Sequence, residues 1–187
     1  MYFLLSAVVG AVLIFATGPA WSHGDSHGGK PAAKSGSVST EEHAFGRAGD
    51  PRRASRTFHI GMDDRMHFRA TAALRQDAKS DAQSGDAHQM KPGDIVVKRG
   101  QTVRFVVRNH GKVMHEMVIG TMKELKDHAE MMRKFPSMEH DEPYMAHVAP
   151  GKQGEIVWQF TKPGEFHYAC LVPGHMEAGM IAKITVQ

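Results

Sequence analysis

A single cysteine among 187 residues rules out an internal disulfide. No basic stripe or acidic tail appears, and the formal net charge is only +3, so nucleic acid is not an expected partner. The apolar run Met1 to Ala16 is too short to span a bilayer comfortably. It carries no charge and leads to the small residues Ala20 and Ser22, the pattern of a secretory signal cleaved before His23. No Lys or Arg precedes its apolar core, which leaves an uncleaved anchor as the alternative. Residues 1–22 are thus expected to be a signal peptide and the mature chain periplasmic. An exported lone thiol is an oxidation hazard unless something protects it, and metal ligation would.

That thiol lies in the stretch Cys170-Leu-Val-Pro-Gly-His-Met-Glu-Ala-Gly-Met180. Cys170, His175 and Met180 supply a thiolate, an imidazole and a thioether, the donors of blue-copper electron-transfer sites. One imidazole is missing, and His115 is the candidate because it opens an apolar, strand-like run ending at Gly120. Met176 is the rival axial ligand and would need a tighter loop. Gly174 and Gly179 give the loop the backbone freedom to wrap a metal. Singly, these residues read as a buried thiol, surface imidazoles and a core methionine. In this order and pattern they point to a copper that gains and loses one electron with little rearrangement.

From about Met90 to Gln187 these residues resemble the cupredoxins, the family that includes azurin, plastocyanin and pseudoazurin. The resemblance implies a type 1 copper on His115, Cys170, His175 and Met180, with the strand Ile181 to Val186 following at once. Glu116 stands where azurin and plastocyanin carry an asparagine that ties the ligand loops together. A His-Glu pair at this place is similar to a subgroup of cupredoxins associated with copper tolerance. Glu116 itself reads as a solvated strand residue, with a carboxylate that stabilises Cu(II) as the alternative. Multicopper oxidases and copper nitrite reductases wire this copper to a second site through a histidine beside the cysteine. Here the neighbours are Ala169 and Leu171, and a binuclear centre would need a second cysteine.

Upstream, residues 23–55 are rich in Gly, Ser, Ala, Lys and His without apolar period and are expected to form a disordered arm. His23 and His27 within it, with a free amine if cleavage precedes His23, are a candidate N-terminal copper site, against the plainer reading of a solubilising linker. The cupredoxin domain is expected over 56–187, with a first edge strand in 56–69, an insertion over 70–89 and a core over 90–187. Val103, Phe105 and Val107 fall on one face of a strand, as do Ile156, Trp158 and Phe160, and Phe166, Tyr168 and Cys170. Pro and Gly turns separate these runs, which predicts an all-β, antiparallel, Greek-key β-sandwich. Thr121-Met-Lys-Glu124 is a capping box, and Met122, Leu125, Ala129 and Met132 recur at helical spacing before Pro136. One short helix is therefore predicted over 122–134.

That helix opens a Met/His-rich insertion. His128, Met131, Met132, Met138, His140, Met145 and His147 make seven of 20 residues, against 26 Met and His in all 187. Thioether and imidazole suit Cu(I) and Cu(II), so these seven are a candidate secondary copper site, balanced against the reading of Met132 as helix core and the rest as an accidental polar loop. The expected function is periplasmic copper handling or tolerance by a monomer that binds copper ions. The alternative is a soluble electron carrier that docks transiently to a redox protein partner beside His175. Oxidation of Cu(I) at the Met/His segment is a third, weaker reading, and no turnover is expected at the four-ligand site.

Overall fold

The computed structural model describes residues 39–74, 91–136, 138 and 140–187. The expected signal peptide, His23, His27 and residues 75–89 of the expected insertion lie outside the described residues.

The described residues form ten strands: β1 (Arg47–Ala48), β2 (Arg56–Asp63), β3 (His67–Leu74), β4 (Ile95–Val97), β5 (Thr102–Asn109), β6 (His115–Gly120), β7 (Met145–Val148), β8 (Gln153–Gln159), β9 (Gly164–Ala169) and β10 (Ile181–Val186). One sheet has the order β1-β8-β5-β2-β3 and the other β4-β10-β9-β6-β7. The alternating residues named above enclose the core between the sheets: Val103, Phe105 and Val107 are fully buried, as are Ile156, Trp158 and Tyr168. The all-β sandwich with one helix is therefore as the sequence predicts. It is not wholly antiparallel. β2 pairs with β5, and β4 with β10, in parallel, because Greek-key crossings rather than hairpins bring those strands together.

The first strand differs from expectation. Residues 56–74 form a hairpin, turning at Asp64–Met66, with Met66 at a φ of 60°. Phe58, Ile60 and Met62 bury one face of β2, and Phe68 pairs across from Met62. β2 thus sits inside the sheet, β3 takes the edge, and the strand runs into the expected insertion as far as Leu74.

The expected disordered arm also stops short of residue 55. Phe45 is buried and stacks on Trp158 with ring centroids 5.2 Å apart, and Trp158 Nε1 donates to the Phe45 carbonyl at 2.9 Å. Gly46, at a φ of 119°, lets the backbone approach so closely that a Cβ would lie 2.1 Å from the Gln159 carbonyl oxygen. β1 then pairs with β8. Composition alone hid this, because one aromatic ring carries the attachment.

The helix α1 (Met122–Lys134) lies between β6 and β7, with the predicted capping box formed in both directions. Its Leu125 and Ala129 pack on Val118, Met145, Ala169 and Leu171, the face of the second sheet that turns away from the sandwich core. All six residues of β6 are consequently buried. His115, Met117 and Ile119 alternate toward the sandwich side, and Glu116 and Val118 toward the helix side.

Candidate metal centre

Two loops meet at one end of the second sheet. The first, 110–114, delivers His115 and is pinned by the fully buried Asn109, whose Nδ2 donates to the carbonyls of Val113 (2.7 Å) and Val148 (2.8 Å) while its Oδ1 accepts from Gly111 N (2.8 Å). The second, 171–179, follows Cys170 at the end of β9. It closes on itself: Met180 N donates to His175 O at 3.0 Å, and Cys170 N to Met180 O at 3.1 Å. Gly174 and Gly179 take φ values of 89° and 100°, a backbone that other residues rarely adopt, as this tight return requires.

Cys170 Sγ lies 3.9 Å from His115 Nδ1 and 3.3 Å from His175 Nδ1. Three donor atoms thus fall within 4.8 Å of one another, and this trio is the only one of its kind among the described His, Cys, Asp and Glu residues. A trigonal metal with sulfur at about 2.3 Å and nitrogen at about 2.0 Å would set sulfur and nitrogen roughly 3.7 Å apart. The observed spacings bracket that value, so the donors fit a soft first-row ion.

The electrostatics agree. His115 Nε2 lies 3.2 Å from Asp64 Oδ1 in the β2–β3 turn, which assigns the ring proton to Nε2 and leaves the Nδ1 lone pair for a metal. Asp64 also accepts from Lys112 N at 2.8 Å, so one carboxylate holds both the ligand and its loop. Burial, then the neighbouring His115, lowers the pKa of His175 and keeps that imidazole neutral, against the smaller pull of Asp64. Burial pushes the Cys170 thiol up to about 12, although the N–H groups of Glu116 and Val172 point at the sulfur. Without a cation the thiol stays protonated beside two lone pairs; with one it becomes the strongest ligand present.

Met180 is fully buried in the same apolar cluster as Cys170, whereas Met176 packs on the helix-side cluster with Val118 and Leu171. The division favours Met180 over Met176 as the fourth donor.

Glu116 is not the solvated residue that its type suggests. It is 2% exposed, because α1 and the 140s segment cover the face of β6 onto which it points. Its Oε1 accepts from Leu171 N at 2.9 Å and its Oε2 meets His147 Nδ1 at 2.9 Å. The carboxylate therefore ties the His115 strand to the Cys170 loop. Burial holds the Glu116 carboxyl above the usual carboxylate range, against the opposing pulls of His147 and the Leu171 N–H.

The seven Met and His residues of the insertion separate. His128 and His140 approach with Nε2 atoms 2.6 Å apart, and His147 lies beyond His140, its Nε2 3.1 Å from the His140 carbonyl oxygen. Met131 lines the cleft beside His128 and His140. Met132 is buried on the helix, Met145 is buried in the apolar cluster under the helix rather than lying in a polar loop, and Met138 is exposed. Sequence reasoning missed Asp64 and Asn109. Asp64 lies 51 residues from the ring it holds, and no local pattern marks that distance.

Residues 76–187 match the copper binding proteins of the plastocyanin/azurin family. The chain is 42% identical over 165 residues to a copper-resistant cuproprotein CopI of Rubrivivax gelatinosus, covering 88% of this chain and 83% of that one. A protein of the same name from Pseudomonas aeruginosa is 32% identical over 173 residues, covering 77% and 83%. Among solved structures, reduced auracyanin from the photosynthetic bacterium Roseiflexus castenholzii superposes with a TM-score of 0.50 at 20% identity, covering 72% of this chain and 98% of that one, a likeness of fold.

Proposed function

Because the chain belongs to the plastocyanin/azurin family of copper-binding proteins, we propose that it binds a type 1 copper through His115, Cys170, His175 and Met180 and serves copper handling and tolerance outside the cytoplasm. The convergence of Cys170 Sγ with the Nδ1 atoms of His115 and His175 carries this reading. When bound, copper supplies a one-electron couple. The chain's own residues do the rest. Asp64 fixes the tautomer and direction of His115, and the N–H groups of Glu116 and Val172 support a thiolate on Cys170. The hydrogen bonds closing loop 171–179 and the Asn109 pin on loop 110–114 hold both ligand loops before metal arrives. Such preorganisation keeps rearrangement small when the charge on the site changes. The protein acts as a binder rather than an enzyme. The names of its CopI relatives support a role in tolerance.

One observation favours an electron carrier as the second reading. Val113 and Met114, beside His115, expose 44% and 46% of their surface, an apolar edge suited to brief contact with a redox protein.

Loading with Cu(II) tests the site. Wild-type protein should develop an intense visible charge-transfer band that Cys170→Ser abolishes, and a band that survives the substitution refutes the ligand assignment. Growth in excess copper tests the biology: a strain lacking the gene should lose tolerance under the handling role, and unchanged growth with a measurable loss of respiratory electron flow would favour the carrier.

A further inference from the structure

We propose that His128, His140 and His147 form a second, exchangeable copper site on the helix side of the second sheet, joined to the type 1 site by Glu116. The three rings come from three different elements: α1, the segment after it, and β7. Ring centroids of His128 and His140 lie 4.6 Å apart and those of His140 and His147 6.1 Å apart. Imidazole nitrogens about 2.0–2.1 Å from one metal put their ring centres roughly 4.5 to 6.5 Å apart, from adjacent to opposite positions. The His115–His175 pair of the type 1 site stands at 5.0 Å, inside the same range.

The hydrogen bonding around the cluster leaves ring nitrogens that an ion could take. His128 and His140 turn Nε2 toward Nε2 at 2.6 Å, so only one of the two can carry a proton there. His140 Nδ1 is buried with no partner among the described residues, an arrangement that costs energy unless something compensates for it. His147 gives Nδ1 to the Glu116 carboxylate, the partner that commonly orients a metal-bound histidine, and this leaves Nε2 as its ligand atom. Nε2 faces the His140 carbonyl oxygen, to which it can only donate, so metal binding displaces the Nε2 proton to solvent and takes a swing of His140 on its segment between α1 and β7.

The surroundings select the ion. A cleft of about 290 Å³ opens beside His128 and His140, and Met131, Glu124, Asp127 and Glu142 line it. Glu142 attracts a cation, while Glu124 is held by the Thr121 cap and Asp127 by Lys123; the opening allows exchange, and Met131 adds a soft donor for the reduced metal. Three imidazoles favour Cu(II) over Zn(II) by the usual stability order. Glu116 then connects the sites: it orients His147 through Oε2, holds Leu171 N through Oε1, and its own N–H points at Cys170 Sγ. Filling the second site should therefore shift the visible band of the first.

This inference rests on the type 1 reading, and one titration separates their failures. Full-length protein with one copper already bound is titrated with Cu(II), monitored by the visible band and by EPR. A second equivalent should bind with a wide-hyperfine signal lacking thiolate charge transfer, move the type 1 band, and resist a tenfold excess of Zn(II). In the triple variant His128→Gln, His140→Gln, His147→Gln the second equivalent should be lost while the type 1 band remains, which also shows that the variant is folded. Absence of a second equivalent in wild type, or its survival in the triple variant, overturns the proposal and leaves the type 1 reading standing. Absence of any type 1 band in wild type overturns the reading on which it rests.

Discussion

Replacing Asn109 tests whether the loop that presents His115 is held by one buried amide. The side chain is fully buried and makes three hydrogen bonds of 2.7–2.8 Å, two as donor to the Val113 and Val148 carbonyls and one as acceptor from Gly111 N. At about 1 kcal/mol net for each bond, plus the void left behind, Asn109→Ala should cost the copper-free protein about 3–4 kcal/mol. Typical domains are stable by only about 5–15 kcal/mol, so the loss should be plain in urea unfolding. Asn109→Asp is the sharper variant. It keeps an acceptor for Gly111 N but turns carboxylate oxygen toward two carbonyl oxygens, so at neutral pH it should be less stable than the alanine variant. Both should bind Cu(II) more weakly, by about tenfold or more, because His115 is no longer held in place. An alanine variant within 0.5 kcal/mol of wild type, or an aspartate variant as stable as it, would refute the argument.

Other substitutions probe the remaining contacts. Glu116→Gln keeps an acceptor for Leu171 N while removing the charge beside His147, so the type 1 band should persist with a raised reduction potential; Glu116→Ala also orphans the buried Leu171 N–H and should cost about 2–4 kcal/mol in unfolding measurements. An unshifted potential in the glutamine variant would remove the carboxylate from the copper's electrostatics. In the copper-free protein the Cys170 thiol is pushed up to about 12 from its ordinary value of 9.0. A raised value adds stability that is whole below the ordinary value and lost as pH climbs toward 12. Near pH 10.5, wild type should thus have lost about 2 kcal/mol relative to Cys170→Ala, compared with their difference at neutral pH; parallel pH curves for the two would contradict the burial of the thiol. Phe45→Ala should cost about 2–4 kcal/mol by emptying the site against Trp158, and a cost below 0.5 kcal/mol would mean that this segment does not belong to the core.

What could be read from the sequence was local. Cys170, His175 and Met180 sit on one loop at fixed spacing, and the capping box at Thr121 lies within four residues, so neither needs the fold to be recognised. The alternation of Val103, Phe105 and Val107 likewise declares its own buried face. What escaped was set by partners far along the chain. Phe45 is 113 residues from the Trp158 that holds it, and Asp64 is 51 from His115. β7 escaped because four residues of Met, Ala, His and Val carry too little pattern to mark a strand.

Glu116 shows most clearly why residue type misleads here. Alternation marks solvent only where one face of a sheet is open, and β6 has the sandwich on one side and α1 on the other. A carboxylate on such a strand cannot be tolerated unless it finds partners. The register supplies one of them: Glu116 stands directly opposite His147 in the β6–β7 pair, and the return of β9 beside β6 brings Leu171 N to its other oxygen. Its position after His115 thus makes it both the tie between the ligand loops and the contact through which the 140s segment reaches the cysteine. The residue that departs from the azurin pattern does the tying that pattern assigns to asparagine, and its second oxygen extends the tie to a histidine cluster.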